Sequence, residues 1–114
     1  MNPRDRSRME DMASFAADAI DLLGDRDAAA LLSDKRTRYA VIRAVEIVGE
    51  AASKVSAETR AALPDLPWRE AIGMRNFLIH DYHDLDLVAV VKVVRDHLPL
   101  LVGRIEEALK EDPQ

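Results

Sequence analysis

Apolar positions recur three and four residues apart along nearly the whole chain, and no stretch alternates as a half-buried strand would. The spacing predicts a first helix from near Arg8 to Leu23, with Met12, Phe15, Ala16, Ala19, Leu22 and Leu23 on one face. Gly24 is placed to stop it. Residues 27–32 read as a short helical turn, after which Ser33 or Asp34 can cap the next helix. That second helix should run from about Lys35 to Val55 and bury Val41, Ala44, Val45, Val48, Ala52 and Val55. Arg43, Glu46, Glu50 and Ser53 fall on the opposite side. The plainer reading of those four is a solvated face, with Glu50 placed four residues before Lys54. The sharper reading is a polar face that lines a site or meets a partner chain.

A short helix is expected at Ala57–Leu63, then a connection bracketed by Pro64 and Pro67. Pro67 suits the first position of a third helix, which the pattern carries to Ile79 or His80. Asp81–Asp86 reads as a loop, with Asp84 or Asp86 as the next cap. The fourth helix spans Leu87 to about Lys110, with a kink expected at Pro99, which lacks an amide proton. Residues 1–7 and 111–114 are expected to fray. The whole is one all-α domain over residues 1–114, an up-and-down bundle of four to five helices. Val88, Val90, Val91, Val93 and Val94 surround much of the fourth helix, more apolar surface than one buried face requires. A homodimer through the third and fourth helices is the expectation.

Composition narrows the chemistry. Apolar residues make up 48% and charged residues 32%, a globular balance, while aromatics at 4% leave the core to aliphatic side chains. The lack of cysteine excludes a disulfide scaffold, a thiolate nucleophile and a Cys-ligated metal. The N-terminal residues have no apolar core like that of a signal peptide, and no run approaches the roughly 20 apolar residues that span a bilayer. A cytoplasmic protein with no membrane partner is expected. The net charge of −5 disfavours bulk attraction to RNA, so any RNA contact must use a local basic patch. Lys35, Arg36, Arg38 and Arg43 are candidate RNA-backbone contacts. Their plainer reading is a charged helix start on the surface. Arg4, Arg6 and Arg8 are weaker candidates still. The four glycines, at 24, 49, 73 and 103, form no phosphate loop, and no nucleophilic serine motif is present. No cofactor is expected.

Arg75 is the unusual residue. On a wheel of about 100° per residue, Trp68, Ala71, Ile72, Met74, Leu78, Ile79 and Tyr82 fill one broad arc, with Arg75 near its middle. A cation in an apolar stripe is costly unless paired. A salt bridge to Glu46 or Glu50 would satisfy it without any function. His80 can likewise be a favourable helix C-terminal residue, and Tyr82 a core-edge residue with its hydroxyl in water. His80 and His83, with Asp81 and Asp84, offer clustered N and O ligands, but no distant third ligand is evident, and no metal site is expected.

The run Arg75–Tyr82, RNFLIHDY, reads R-N-x-x-x-H-x-Y. It resembles the signature of the HepT-like toxins, which belong to the HEPN superfamily of small helical ribonucleases. Tyr39–Ala52 (YAVIRAVEIVGEAA), Pro67–Met74 (PWREAIGM) and Asp96–Leu101 (DHLPLL) resemble that family's second helix, its approach to the motif and its last helix. The resemblance implies a HEPN-like bundle that dimerises with the two motifs facing each other, and RNA cleavage without metal. It implies Arg75 and His80 as the catalytic pair, Asn76 as the supporting polar residue, and a minimal nucleotidyltransferase antitoxin as partner. That partner would transfer AMP to Tyr82. One departure is His83, where relatives commonly have an aromatic residue. In this scheme His80 transfers protons, and Arg75 binds phosphate and stabilises the transition state. In a straight helix, residues five apart point about 140° away from each other. Arg75 and His80 then converge only if the helix ends at His80 or if the second subunit completes the site. The competing class is a non-catalytic helical module that partners a nucleotidyltransferase or binds nucleotide.

Overall fold

In a computed structural model, residues 1–76 and 86–113 are described. The described chain is built of helices. These are α1 (Pro3–Leu23), α2 (Ala28–Ser33), α3 (Lys35–Lys54), α4 (Ala57–Ala62), α5 (Trp68–Gly73), α6 (Leu87–Lys92), a π-helical segment Val93–His97, and α7 (Leu98–Glu111). Side chains set most of the starts. Asn2, Asp27, Asp34, Ser56 and Asp86 each accept a hydrogen bond from the amide three residues on, satisfying a donor the helix leaves unpaired. Gly24, at φ 57°, ends α1 with its amide donating to the Ile20 carbonyl.

α1 lies chiefly on α3 and then on α7. Met9, Met12, Ala16, Ala19 and Leu23 meet Val41, Val45, Val48 and Ala52 of α3 in a core that also takes Val90, Val94, Leu98, Leu101 and Ile105. The core is aliphatic, as the scarcity of aromatics requires. Trp68 is only partly buried, and its Nε1 donates to the Leu63 carbonyl at 2.8 Å.

The expected fraying of residues 1–7 is not found. α1 starts at Pro3, five residues before the expected Arg8, because Asn2 caps it and Pro3 suits a first helical turn. Asp5, only 3% exposed, takes hydrogen bonds from the Ser56 amide (3.0 Å) and hydroxyl (2.6 Å) and from the Thr59 hydroxyl (2.6 Å). Arg6 reaches Asp112 at 2.9 Å, so residues 111 and 112 are held as well, and Arg6 is engaged within the fold rather than free for RNA. Residue 114 lies outside the described residues. Burial pushes the Asp5 carboxyl up, but the bonds from Ser56, Thr59 and Asn2 together outweigh it and hold it below its ordinary value. A depressed carboxylate adds stability that is present at neutral pH and lost as the pH falls through the folded-state value. Asp5→Ala should therefore cost about 2–4 kcal/mol at pH 7, since it strands buried donors. The gap between variant and parent should narrow in acid. Thermal melts at pH 7 and at about pH 3 check this, and equal melting temperatures at pH 7 would refute it.

At the fourth helix the kink expected at Pro99 takes a particular form. Proline cannot donate to the Arg95 carbonyl, and its ring crowds that oxygen. The chain opens into the π-helical segment just before it, with the Leu98 amide donating to the Val93 carbonyl five residues back. Pro99 then sits in the first turn of α7. Arg95, within the wide turn, donates to the carbonyls of Gly24 and Arg26 at 2.9 Å each, tying this helix to the α1–α2 connection.

Candidate active site

The third helix is shorter than its apolar pattern suggested. α5 ends at Gly73, and residues 74–76 form a tighter turn, with each amide donating three residues back: Met74 to Ala71, Arg75 to Ile72 (3.2 Å) and Asn76 to Gly73 (3.0 Å). Bonds of that span belong to a helix of about three residues per turn. The wheel drawn at 100° per residue therefore loses phase here. Met74 is buried, while Arg75 and Asn76 are exposed. Arg75 does not sit in the middle of a buried stripe. The 140° divergence computed for a straight helix has no straight helix beneath it at Arg75. Phe77 to Leu85 lie outside the described residues, and with them His80, Tyr82, His83 and the alternative cap Asp84.

The bland partner expected for Arg75 is already taken. Arg43 of α3 pairs with Glu46 and, at 3.2 Å, with Glu50. Among the described residues no salt bridge reaches Arg75. The expected Glu50–Lys54 pair is replaced by the one with Arg43. What holds Arg75 is its backbone, which lies directly against Gly49 in the middle of α3. Glu46 and Ser53 flank Gly49 one turn before and after on that face. The polar side of α3 thus borders the motif, an exposed guanidinium and an amide side by side on a tight turn.

The basic cluster does not join this site as a unit. Lys35 and Arg38 lie over the Tyr39 ring at 5.6 and 5.4 Å, and Arg38 also donates to the Leu32 carbonyl. Arg36 lies roughly 20 Å along α3 from Gly49, at about 1.5 Å per residue. Arg43 is nearest the motif, but its charge is offset by two carboxylates. Sequence reasoning missed Gly49. The signal that could have found it is a glycine in the middle of an otherwise strong helix.

Beside Met74, an apolar groove of about 470 Å³ runs between α5 and α7, lined by Ala71, Met74, Val93, Leu100, Leu101 and His97 among others. A larger cleft of about 620 Å³, near Asn2, Leu63 and Asp112, includes no motif residue. Of the valines thought to be in excess, Val90 and Val94 belong to the chain's own core, and Val91 and Val93 are half-buried. Val88 and Leu100 stay 68% and 63% exposed. Among the described residues, no three His, Asp or Glu side chains gather as metal ligands, and no helix is long and apolar enough to cross a membrane.

Comparison with known proteins decides the family. The model of the ribonuclease HepT-like family matches residues 12–108, which include the whole motif. The chain belongs to the ribonuclease HepT-like family. A Methanocaldococcus jannaschii protein named as an RNase is 36% identical over 107 residues, covering 93% of this chain and 98% of that one. A Thermococcus cleftensis protein named as a ribonuclease HepT is 42% identical over 79 residues, covering 69% and 72%. A second Methanocaldococcus jannaschii protein named as an RNase is 33% identical over 101 residues, covering 89% and 87%. No solved structure matches the chain. Membership of this ribonuclease family and an all-helical fold agree with the expectation drawn from the R-N-x-x-x-H-x-Y run. The first turns of α1, with Asp5 and Arg6, precede the matched region.

Proposed function

We propose that this HepT-like ribonuclease is the toxin of a toxin–antitoxin pair, an endoribonuclease that cuts RNA without a metal ion and is silenced by AMP transfer to Tyr82. The observation that carries the reading is Arg75. It is an exposed guanidinium on a tight turn, beside Asn76, and the nearby carboxylates on which it was expected to rest are occupied by Arg43. Such a cation is suited to the paired oxygens of a phosphate.

In the proposed reaction the substrate's 2′-oxygen attacks the adjacent phosphorus as its proton passes to a base. The bond from phosphorus to the 5′-oxygen breaks, and that oxygen takes a proton. The products are a 2′,3′-cyclic phosphate and a 5′-hydroxyl. Arg75 binds the phosphate oxygens and offsets the charge that grows on them. His80 supplies proton transfer, and Asn76 steadies the imidazole or a phosphate oxygen. A homodimer brings two motifs together and so two imidazoles, one for each proton step. Val88, Leu100 and the groove between α5 and α7 are the apolar surface that such a dimer would cover. The chain acts in the cytoplasm, where RNA and an ATP-using nucleotidyltransferase are both found.

The test is RNA cleavage by the purified chain in EDTA, with the cut ends identified and the mass in solution measured. Cyclic phosphate ends, undiminished turnover and twice the chain mass are expected. Activity lost in EDTA and restored by magnesium or manganese would refute the metal-free route and return His80 and His83 to consideration as ligands. Intact RNA, with the chain still binding a nucleotidyltransferase, would favour a non-catalytic module.

A further inference from the structure

We infer that Gly49 is a positioning residue for Arg75, its missing side chain being what allows the Arg75 turn to seat on α3. The inference rests on the reading above, in which Arg75 binds the scissile phosphate. A methyl group built at position 49 would stand 2.2 Å from the Arg75 amide nitrogen and 2.9 Å from both its Cα and its Cβ. Ordinary contact begins near 3.4 Å, so one of the two segments must move by about 1 Å. What lies in the way is backbone, together with the first side-chain carbon, and not the far end of a flexible side chain. No rotamer change relieves it.

The consequence falls on a defined piece of structure. The Arg75 amide is bonded to Ile72 at 3.2 Å and the Asn76 amide to Gly73 at 3.0 Å. A push on Arg75 therefore displaces the turn that carries both polar residues of the site. α3 is less free to yield, since Val45, Val48 and Ala52, all around Gly49, are held in the core against α1. Two other glycines lie within helices, Gly73 and Gly103, and a Cβ at either would meet nothing within 4 Å. Glycine disfavours a helix interior, so its presence at 49 needs a reason. The close approach of Arg75 is one, and it concerns where the guanidinium sits. Reacting groups misplaced by about 1 Å can lose roughly 10²-fold in rate.

RNA cleavage is measured under single-turnover conditions, with circular dichroism and thermal melts, for the parent, Gly49→Ala, Gly103→Ala, Arg75→Ala and the Gly49→Ala/Arg75→Ala double variant. Gly49→Ala should keep the helical signal and lose about 10- to 100-fold in rate. Gly103→Ala should behave as the parent. The double variant should lose much less relative to Arg75→Ala than Gly49→Ala loses relative to the parent, because most of the effect passes through Arg75 and only the shift of Asn76 remains. An additional loss in the double variant by the same factor would show a general structural effect and overturn the inference. So would parental activity in Gly49→Ala while Arg75→Ala is impaired, or a Gly49→Ala chain that no longer folds. Full activity in Arg75→Ala would instead remove the reading of the site on which the inference stands, so the two failures are told apart.

Discussion

Arg75→Ala and His80→Ala are each expected to slow RNA cleavage by about 10²–10⁴-fold, the range for losing a positioned acid–base group or a transition-state donor. The bundle should survive both changes. Arg75 is exposed, no salt bridge among the described residues reaches it, and its backbone contacts with Ile72 and Gly49 do not involve the guanidinium. Arg75→Lys keeps the charge but loses the planar pair of donors, so it should fall between parent and alanine variant. If His80 carries the protons, the parent's rate should turn over within a few units of neutrality, and the residual rate of His80→Ala should lose that dependence. Initial rates on a labelled RNA across pH, in EDTA throughout, make the comparison. An Arg75→Ala protein that cleaves at the parental rate would end the assignment.

The fold was readable where local chemistry and apolar periodicity agree. Lys35–Lys54 is the clearest example: Asp34 caps it, and the valines and alanines at helical spacing become its buried face. The start of α1, at Pro3, is not legible in the same way. Residues 4–8, RDRSR, look like a solvated tail by composition, and nothing local reveals that Asp5 is buried against Ser56 and Thr59, more than 50 positions away. The pair Asn2-Pro3 does carry a start signal, a capping side chain followed by a proline suited to a first helical turn. Pro99 signals a disturbance of the helix, and the π-helical segment before it is the form that disturbance takes. Arg95, inside that wide turn, is anchored to the carbonyls of Gly24 and Arg26, a tertiary contact that no local pattern shows.

The candidate site is legible as a segment and less so as geometry. The helical wheel singles out Arg75 as a cation inside an apolar stripe, and the structure leaves it exposed instead. Its two proposed explanations were a buried ion pair and a function, and the ion pair depended on which arginine would claim Glu46 and Glu50. Arg43 is on the same helix, three and seven residues away, and wins by proximity. The wheel failed because it assumes α geometry throughout, while the turn at 74–76 is tighter. The close approach at Gly49 joins residues 26 positions apart and leaves no mark in sequence beyond the glycine itself. The reading of Lys35, Arg36, Arg38 and Arg43 as one patch was too coarse, since ring, carbonyl and carboxylate contacts divide them.

Tyr82→Phe is expected to leave RNA cleavage intact while freeing the protein from the proposed nucleotidyltransferase partner. The proposed control reaction transfers AMP from ATP: the phenol oxygen attacks the α-phosphorus, pyrophosphate leaves, and the phenol proton is lost to a base of the partner. Tyr82 lies seven positions beyond Arg75. A phosphate esterified there would be an anion held close in sequence to a guanidinium proposed to bind the substrate's phosphate, and the two would compete for one cation. The added nucleoside would also obstruct the approach of RNA. The alternative acceptor is Tyr39, the only other tyrosine. Tyr39 is 57% exposed, but it stands at the start of α3 with Lys35 and Arg38 over its ring, about 15 Å along the helix from Gly49 at about 1.5 Å per residue. Modification there would leave Arg75 untouched, so inhibition and acceptor identity are linked. Incubation of the purified pair with ATP and magnesium, followed by peptide mass mapping, should place one AMP on the peptide holding Tyr82 and none on Tyr39. In cells, Tyr82→Phe should arrest growth even when the partner is present. AMP found on another residue, or neutralisation of Tyr82→Phe as complete as that of the parent, would refute control through this tyrosine and point to inhibition by binding alone.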